Sequence, residues 1–142
     1  MSDVGGYAAT AAARLGLQAG DTVGESGYDD DVDHELRDAI ADAIDADLLD
    51  DDSDEVLAAV LLWWREDDGD LTDALINAVP LLAPGGVIWL ATPKTGQHGY
   101  VEPSEIAEAT RTAGLAQTTS VNGGPGWMLA RLARPRSAKV RR

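Results

Sequence analysis

The sequence predicts an α/β protein: a three-layer, Rossmann-like domain built on a mostly parallel five-stranded sheet that ends in an antiparallel hairpin. Three observations predict it. Short apolar runs alternate with amphipathic stretches of helical period, as expected for strands joined by crossover helices. Residues 56–64 and 87–91 are apolar throughout and read as strands buried on both faces. Near the C-terminus, a glycine-rich loop at 122–126 separates two short strand-like segments.

Residues 1–20 are rich in alanine and glycine, with a weakly helical stretch over 8–15. They are expected to form a mobile arm ahead of a single domain over 21–133. Residues 22–28 make the first strand, diluted by Gly24 and Gly27. A helix follows over 32–46, with Leu36, Ile40, Ala43 and Ile44 on one face. The aspartates before it suit an N-cap and the positive end of the helix dipole.

After the strand over 56–64, Asp70 can cap a helix whose inner stripe is Leu71, Ala74, Leu75, Ala78 and Val79. Pro80 should end or kink that helix, because it lacks a backbone donor. Pro84-Gly85-Gly86 reads as a sharp turn into the strand over 87–91. Pro103 suits the first turn of a further helix, and Gly114 the residue just past its end. Residues 116–121 and 127–133 form the hairpin, and 134–142 a basic disordered tail.

Composition narrows the function classes. With no cysteine among 142 residues, disulfides, thiolate metal sites and cysteine nucleophiles are excluded. Phenylalanine is absent too, so alanine, valine, leucine and isoleucine must do most of the packing. The longest apolar run is too short to span a bilayer, and the N-terminus lacks the charged-then-apolar pattern of a signal peptide. A soluble, cytoplasmic protein is expected.

The net charge is −14 and unevenly spread. Between positions 29 and 73 there are 19 carboxylates against Arg37 and Arg65, whereas six of the 11 basic residues lie in 131–142. Such a body repels nucleic acid and anionic membrane, and attracts a basic protein surface or a metal cation. An acidic shell also serves plain solubility.

Two resemblances follow from local motifs. Residues 60–64 (VLLWW), Leu82-Ala83-Pro84-Gly85-Gly86 and residues 87–93 (VIWLATP) resemble the later half of Rossmann-like, SAM-dependent methyltransferases. The segment Thr112-Ala113-Gly114-Leu115 and the final hairpin extend that likeness to about half the chain. It implies the fold alone, since fold does not carry activity. Residues 27–37 (GYDDDVDHELR), 61–65 (LLWWR), 68–71 (DGDL) and 89–96 (WLATPKTG) resemble a family of small acidic actinobacterial proteins classed as a domain of unknown function. This second likeness covers about 16–132 and implies a bacterial protein, with no activity attached.

Three sets of candidate site residues emerge. Thr92, Lys94, Thr95, Gly96 and His98 follow a central strand, where ligands of open α/β sheets bind, and Tyr28 sits after the first strand. Asp29, Asp30, Asp31 and Asp33 offer oxygen ligands for a hard cation, or equally helix caps and solvated charge. Trp64, Arg65, Asp67, Asp68 and Asp70 are candidates for meeting a protein partner.

No catalytic constellation is complete. The turn Gly24-Glu25-Ser26-Gly27 departs from G-x-G-x-x-G, and its following aspartates oppose a phosphate. The strand that would carry a ribose-binding acid is missing from the expected order. The sequence requires no cofactor. It points to a non-catalytic binding or regulatory protein that engages a basic partner. The alternative is a small-molecule or metal-binding sensor or enzyme related to the methyltransferases.

Overall fold

Strand β1 (Val23–Ser26) leads into helix α2 (His34–Ile44), and β2 (Leu57–Trp63) into α3 (Leu71–Ala78). Strand β3 (Leu82–Pro93) precedes α4 (Pro103–Thr112), and the chain closes with β4 (Ala116–Asn122) and β5 (Trp127–Ala133). A further helix, α1 (Gly6–Arg14), precedes β1. The computed structural model describes residues 6–50 and 54–135.

The five strands form one sheet in the order β1-β2-β3-β5-β4. β1, β2 and β3 pair in parallel, whereas β3 with β5 and β5 with β4 pair antiparallel. The sheet is therefore mixed, and the expectation of a mostly parallel one is corrected. The hairpin does not hang from an edge by its first strand. Its second strand inserts between β3 and β4, so antiparallel pairing takes up half of the ladders.

Helices cover both faces because the strands alternate. Leu61, Trp63, Trp89 and Ala91 point to the face covered by α1 and α2, among Leu36, Ile40 and Ile44. Val60, Leu62, Ile88 and Leu90 point to the other, among Leu71 and Leu75 of α3 and Ala109 of α4. Each fully buried leucine or isoleucine contributes about 1.5–3 kcal/mol. Trp63, Trp64 and Trp89 all lie in these cores.

The caps follow from composition. The side chain of Asp33 accepts the Leu36 N–H, and that of Asp70 accepts those of Thr72 and Asp73. Pro80 falls in a 3₁₀ turn, Val79–Leu81, that ends α3. Gly114 follows α4 with a positive φ.

Two elements depart from expectation. Pro84-Gly85-Gly86 is not a turn outside the sheet but a bulge within β3. Pairing steps from Leu57↔Leu82 to Ala59↔Val87, so the extra residues loop out of the ladder. Part of the expected arm is a helix docked on the domain: Ala8, Ala11 and Ala12 are buried, the last two in the α2-side core. Methyl groups at that spacing give close packing without large side chains. Residues 1–5, and the expected tail beyond 135, lie outside the described residues.

Candidate functional site

β1, β2 and β3 run in parallel, so the loops after them collect at one end of the sheet, the end where open α/β folds bind ligands. The register Ser26↔Leu62 and Trp63↔Ala91 brings the β1–α2 loop, the β2–α3 loop and residues 94–99 side by side.

Arg65 holds this end together. Its Nε and Nη2 donate to the two carboxylate oxygens of Asp31, a forked pair. Nη1 donates to the Gly27 carbonyl at 2.7 Å and to Asp68 Oδ2 at 3.2 Å. The guanidinium also lies 5.3 Å from the centre of the Trp127 ring, a cation–π distance. The Trp127 indole N–H in turn donates to the Asp31 carbonyl at 3.1 Å. Burial pulls the Arg65 pKa down, but the hydrogen bonds to Asp31 and Asp68 outweigh it, and the net direction is up. The same pairing with Arg65 holds the Asp31 carboxyl below the ordinary aspartate range.

A second internal network lies one strand away. Glu25 on β1 accepts from Arg37 Nε at 2.6 Å and Nη2 at 2.7 Å, and from the Trp63 indole at 2.8 Å. The Arg37 guanidinium also covers the Tyr28 ring at 4.7 Å. Sequence reasoning did not single out Glu25. The signal was available: an acid one alternation from Val23 on a buried strand must find a donor.

The structure redistributes the expected sites. Trp64 and Arg65 are buried, so neither presents a surface to a partner. Asp68 accepts from Arg65, Asp70 caps α3, and Asp67 is exposed. The four aspartates expected to hold a cation diverge. Asp31 pairs with Arg65, Asp33 caps α2 and accepts from Tyr7, Asp29 accepts the Asp30 N–H, and Asp30 is exposed. Among the described residues, no group of three or more histidine, aspartate or glutamate side chains is arranged to hold a metal ion.

Of the ligand candidates, Thr92, Lys94 and Thr95 line one groove of about 500 Å³ between β3, β5 and α4. His98 lines a different cleft with Asp31 and Trp127, and Tyr28 lines one of about 460 Å³ with Trp64, Asp68 and Leu81. Gly96 sits in the open turn between them.

Residues 12–136 match the family described as "Protein of unknown function (DUF3052)". The chain belongs to this family. It is 51% identical over 136 residues to "Uncharacterized protein Rv2239c" of Mycobacterium tuberculosis H37Rv, covering 96% of this chain and 85% of that one. "Uncharacterized protein Mb2263c" of Mycobacterium bovis matches to the same extent.

Several solved structures with a similar fold are methyltransferases. The mitomycin 7-O-methyltransferase MmcR superposes with a TM-score of 0.64 at 14% identity over 92% of this chain; the chain spans 54% of MmcR's length. A geranyl diphosphate methyltransferase in complex with SAM gives 0.60 at 15% identity, covering 92% of this chain and 85% of that one. A ribosomal protein L11 methylase from Lactobacillus delbrueckii gives 0.57 at 12%, covering 92% and 78%. At such identities the likeness establishes the fold alone.

The residues present match a cofactor site of that kind only in part. A Rossmann-type cofactor needs open backbone at the glycine turn and a carboxylate from the next strand outward. Outside β1 that strand shrinks to a single parallel bridge, Gly24↔Leu49, with Asp50 just beyond it. Asp50 lines one cleft with Gly27 and Tyr28, but the glycine packs against the neighbouring strand. Gly27 has φ +79°, and a Cβ there would lie 2.2 Å from the Trp63 carbonyl oxygen. Its glycine thus serves the chain's approach to its own backbone. The Arg65 guanidinium then bridges the Gly27 and Trp63 carbonyls at the ends of β1 and β2. No helix among the described residues is long and apolar enough to cross a membrane.

Proposed function

We propose that this protein is a non-catalytic binding or regulatory protein, built on a methyltransferase-type fold, whose acidic rim at the C-terminal end of the parallel strands engages a basic protein partner. One observation carries the reading. Arg65 ties two acidic loops together, using Asp31 and Asp68, and leaves Asp29, Asp30, Glu66 and Asp67 exposed around them. The buried cation is spent inside the fold, and the carboxylates face outward on a rim made rigid by it. Clustered like charge of this kind steers oppositely charged partners and fixes their register. The glycine turn, with Gly27 packed against the Trp63 carbonyl, supports the non-catalytic half of the reading.

The test is affinity chromatography of a mycobacterial extract on the immobilised full chain, beside the variant Asp30→Asn/Glu66→Gln/Asp67→Asn. That variant spares both partners of Arg65. The expected result is a discrete basic protein held at ~50 mM salt, released by ~0.5 M as screening shortens the field, and absent from the variant. Retention of nothing at low salt, or equal retention by the variant, overturns the reading.

A further inference from the structure

The groove on the α4 face differs in charge from every other cleft described. The other four each contain at least two carboxylates: Asp29 and Asp68, Asp31 and Asp33, Glu25 and Asp50, and Asp21 with Asp45, Asp47 and Glu55. This one has none, in a chain with 25 acids, and it has Lys94.

Lys94 is placed firmly and left unused. Its backbone N–H donates to the Gly126 carbonyl and its carbonyl accepts from Gln97, both at 2.9 Å, so the residue is anchored at the end of β3. Its side chain is half-buried, and it forms no ion pair among the described residues.

Beside it, Thr92 is 7% exposed and lines the groove. A threonine hydroxyl on a groove wall can donate to a ligand's acceptor. Pro103, in the first turn of α4, also borders the groove; the N-cap there is Glu102, whose side chain makes no capping bond, and Glu102 itself is not part of the lining. The dipole end at that rim is the positive one.

The remaining walls are apolar. Thr92 pairs with Met128 across the ladder, and both face the α4 side. Met128 is 38% exposed, and Ile106 and Val101 line the same groove. A volume of about 500 Å³ lies within the usual range for small-molecule sites.

We propose that this groove binds a small amphipathic carboxylate, with Lys94 and Thr92 on the head group and Met128 and Ile106 along the apolar body. The inference is independent of the acidic rim, since none of the four exposed rim carboxylates lines the groove.

The experiment is an amide NMR titration of the full chain with octanoate, with octylamine as the cationic counterpart. Octanoate is expected to move the Thr92, Lys94 and Met128 signals saturably. Lys94→Ala should weaken it about tenfold, the loss of one charge-assisted contact. Met128→Glu, on an exposed side chain that the fold does not need, should abolish it. The proposal is overturned by no saturable shift up to ~10 mM, weaker than any useful small-ligand site. It is equally overturned by shifts confined to other residues, by octylamine binding as tightly, or by unchanged affinity in Lys94→Ala.

Discussion

Arg65 shows how one side chain can decide what an end of the sheet is for. Its side chain is 9% exposed, yet its partners Asp31 and Asp68 are 54% and 32% exposed. The pair thus lies between two regimes. Breaking a fully buried pair costs about 3–5 kcal/mol, and breaking a surface pair about 0–1. Arg65→Met should therefore cost about 2 kcal/mol in urea unfolding, chiefly because the Gly27 carbonyl and both carboxylates lose their donor. Arg65→Lys should recover less than half of that, since an ammonium cannot reproduce the fork to Asp31. The pH dependence has a definite sign. Arg65 holds Asp31 below its unfolded value, so this part of the stability is present above ~3.9 and is lost as the pH falls through the lower folded value. The gap between wild type and Arg65→Met should narrow from pH ~5 to ~2. A gap that is constant or widens over that range contradicts the pairing. Sequence alone placed Arg65 on the surface, because its neighbours from 66 to 68 are all acids. Only the parallel pairing of β1 with β2 brings Asp31 to it across 34 positions.

Elements with strong local signals form where the sequence puts them, and elements set by tertiary contact do not. α2, α3 and α4 carry their own stripes and end signals, so Asp70, Pro103 and Gly114 were readable in place. α1 buries only alanines, and what holds it is distant. The Tyr7 hydroxyl donates to Asp33, the cap of α2, at 3.0 Å. Gly124 in the β4–β5 loop closes over the pair so tightly that a Cβ would sit 2.6 Å from the Tyr7 ring. Three elements thus meet at one phenol. Burial first, then the Asp33 carboxylate, push the Tyr7 pKa up to about 12. The neutral phenol contributes stability that is complete below the ordinary value of ~10 and is lost as pH climbs through the folded one. Tyr7→Phe should cost about 1 kcal/mol at neutral pH. Denaturant unfolding from pH ~8 to ~11 should show that difference shrinking above ~10. If the two proteins differ equally at both ends of the range, the phenol is not held by Asp33. The bulge in β3 was hidden for a related reason: Pro-Gly-Gly signals a turn locally, and only the β2 ladder shows that the strand continues through it.

On the scale of the whole molecule, the two arginines of the acidic region are both drawn inward, which leaves its carboxylates largely to face one another and solvent. That much was legible as a charge count. What was not legible is that Arg37 and Arg65 neutralise Glu25 and Asp31 specifically, so that the outer surface is more uniformly negative than the sequence suggests. The candidate site was half readable for the same reason. Thr92, Lys94 and Thr95 were found because they follow a central strand, whereas Met128 entered only through the antiparallel insertion of β5 beside β3. The charge surplus sets the sign of the salt response. Exposed like charges repel in the folded state, where they are crowded, more than in the unfolded chain, where they spread. Salt screens them with a Debye length of about 10 Å at 0.1 M, and it screens buried pairs much less. The Arg37–Glu25 pair, with Glu25 only 7% exposed, should therefore survive where the surface repulsion fades. Raising sodium chloride from ~10 mM to ~300 mM should raise the thermal midpoint by a few degrees, about 1 kcal/mol for a chain of this size. The triple variant Asp30→Asn/Glu66→Gln/Asp67→Asn, which removes rim charge, should start from a higher midpoint at low salt and gain less. A midpoint that falls with salt would mean that surface ion pairs, and not the repulsion among carboxylates, dominate the balance.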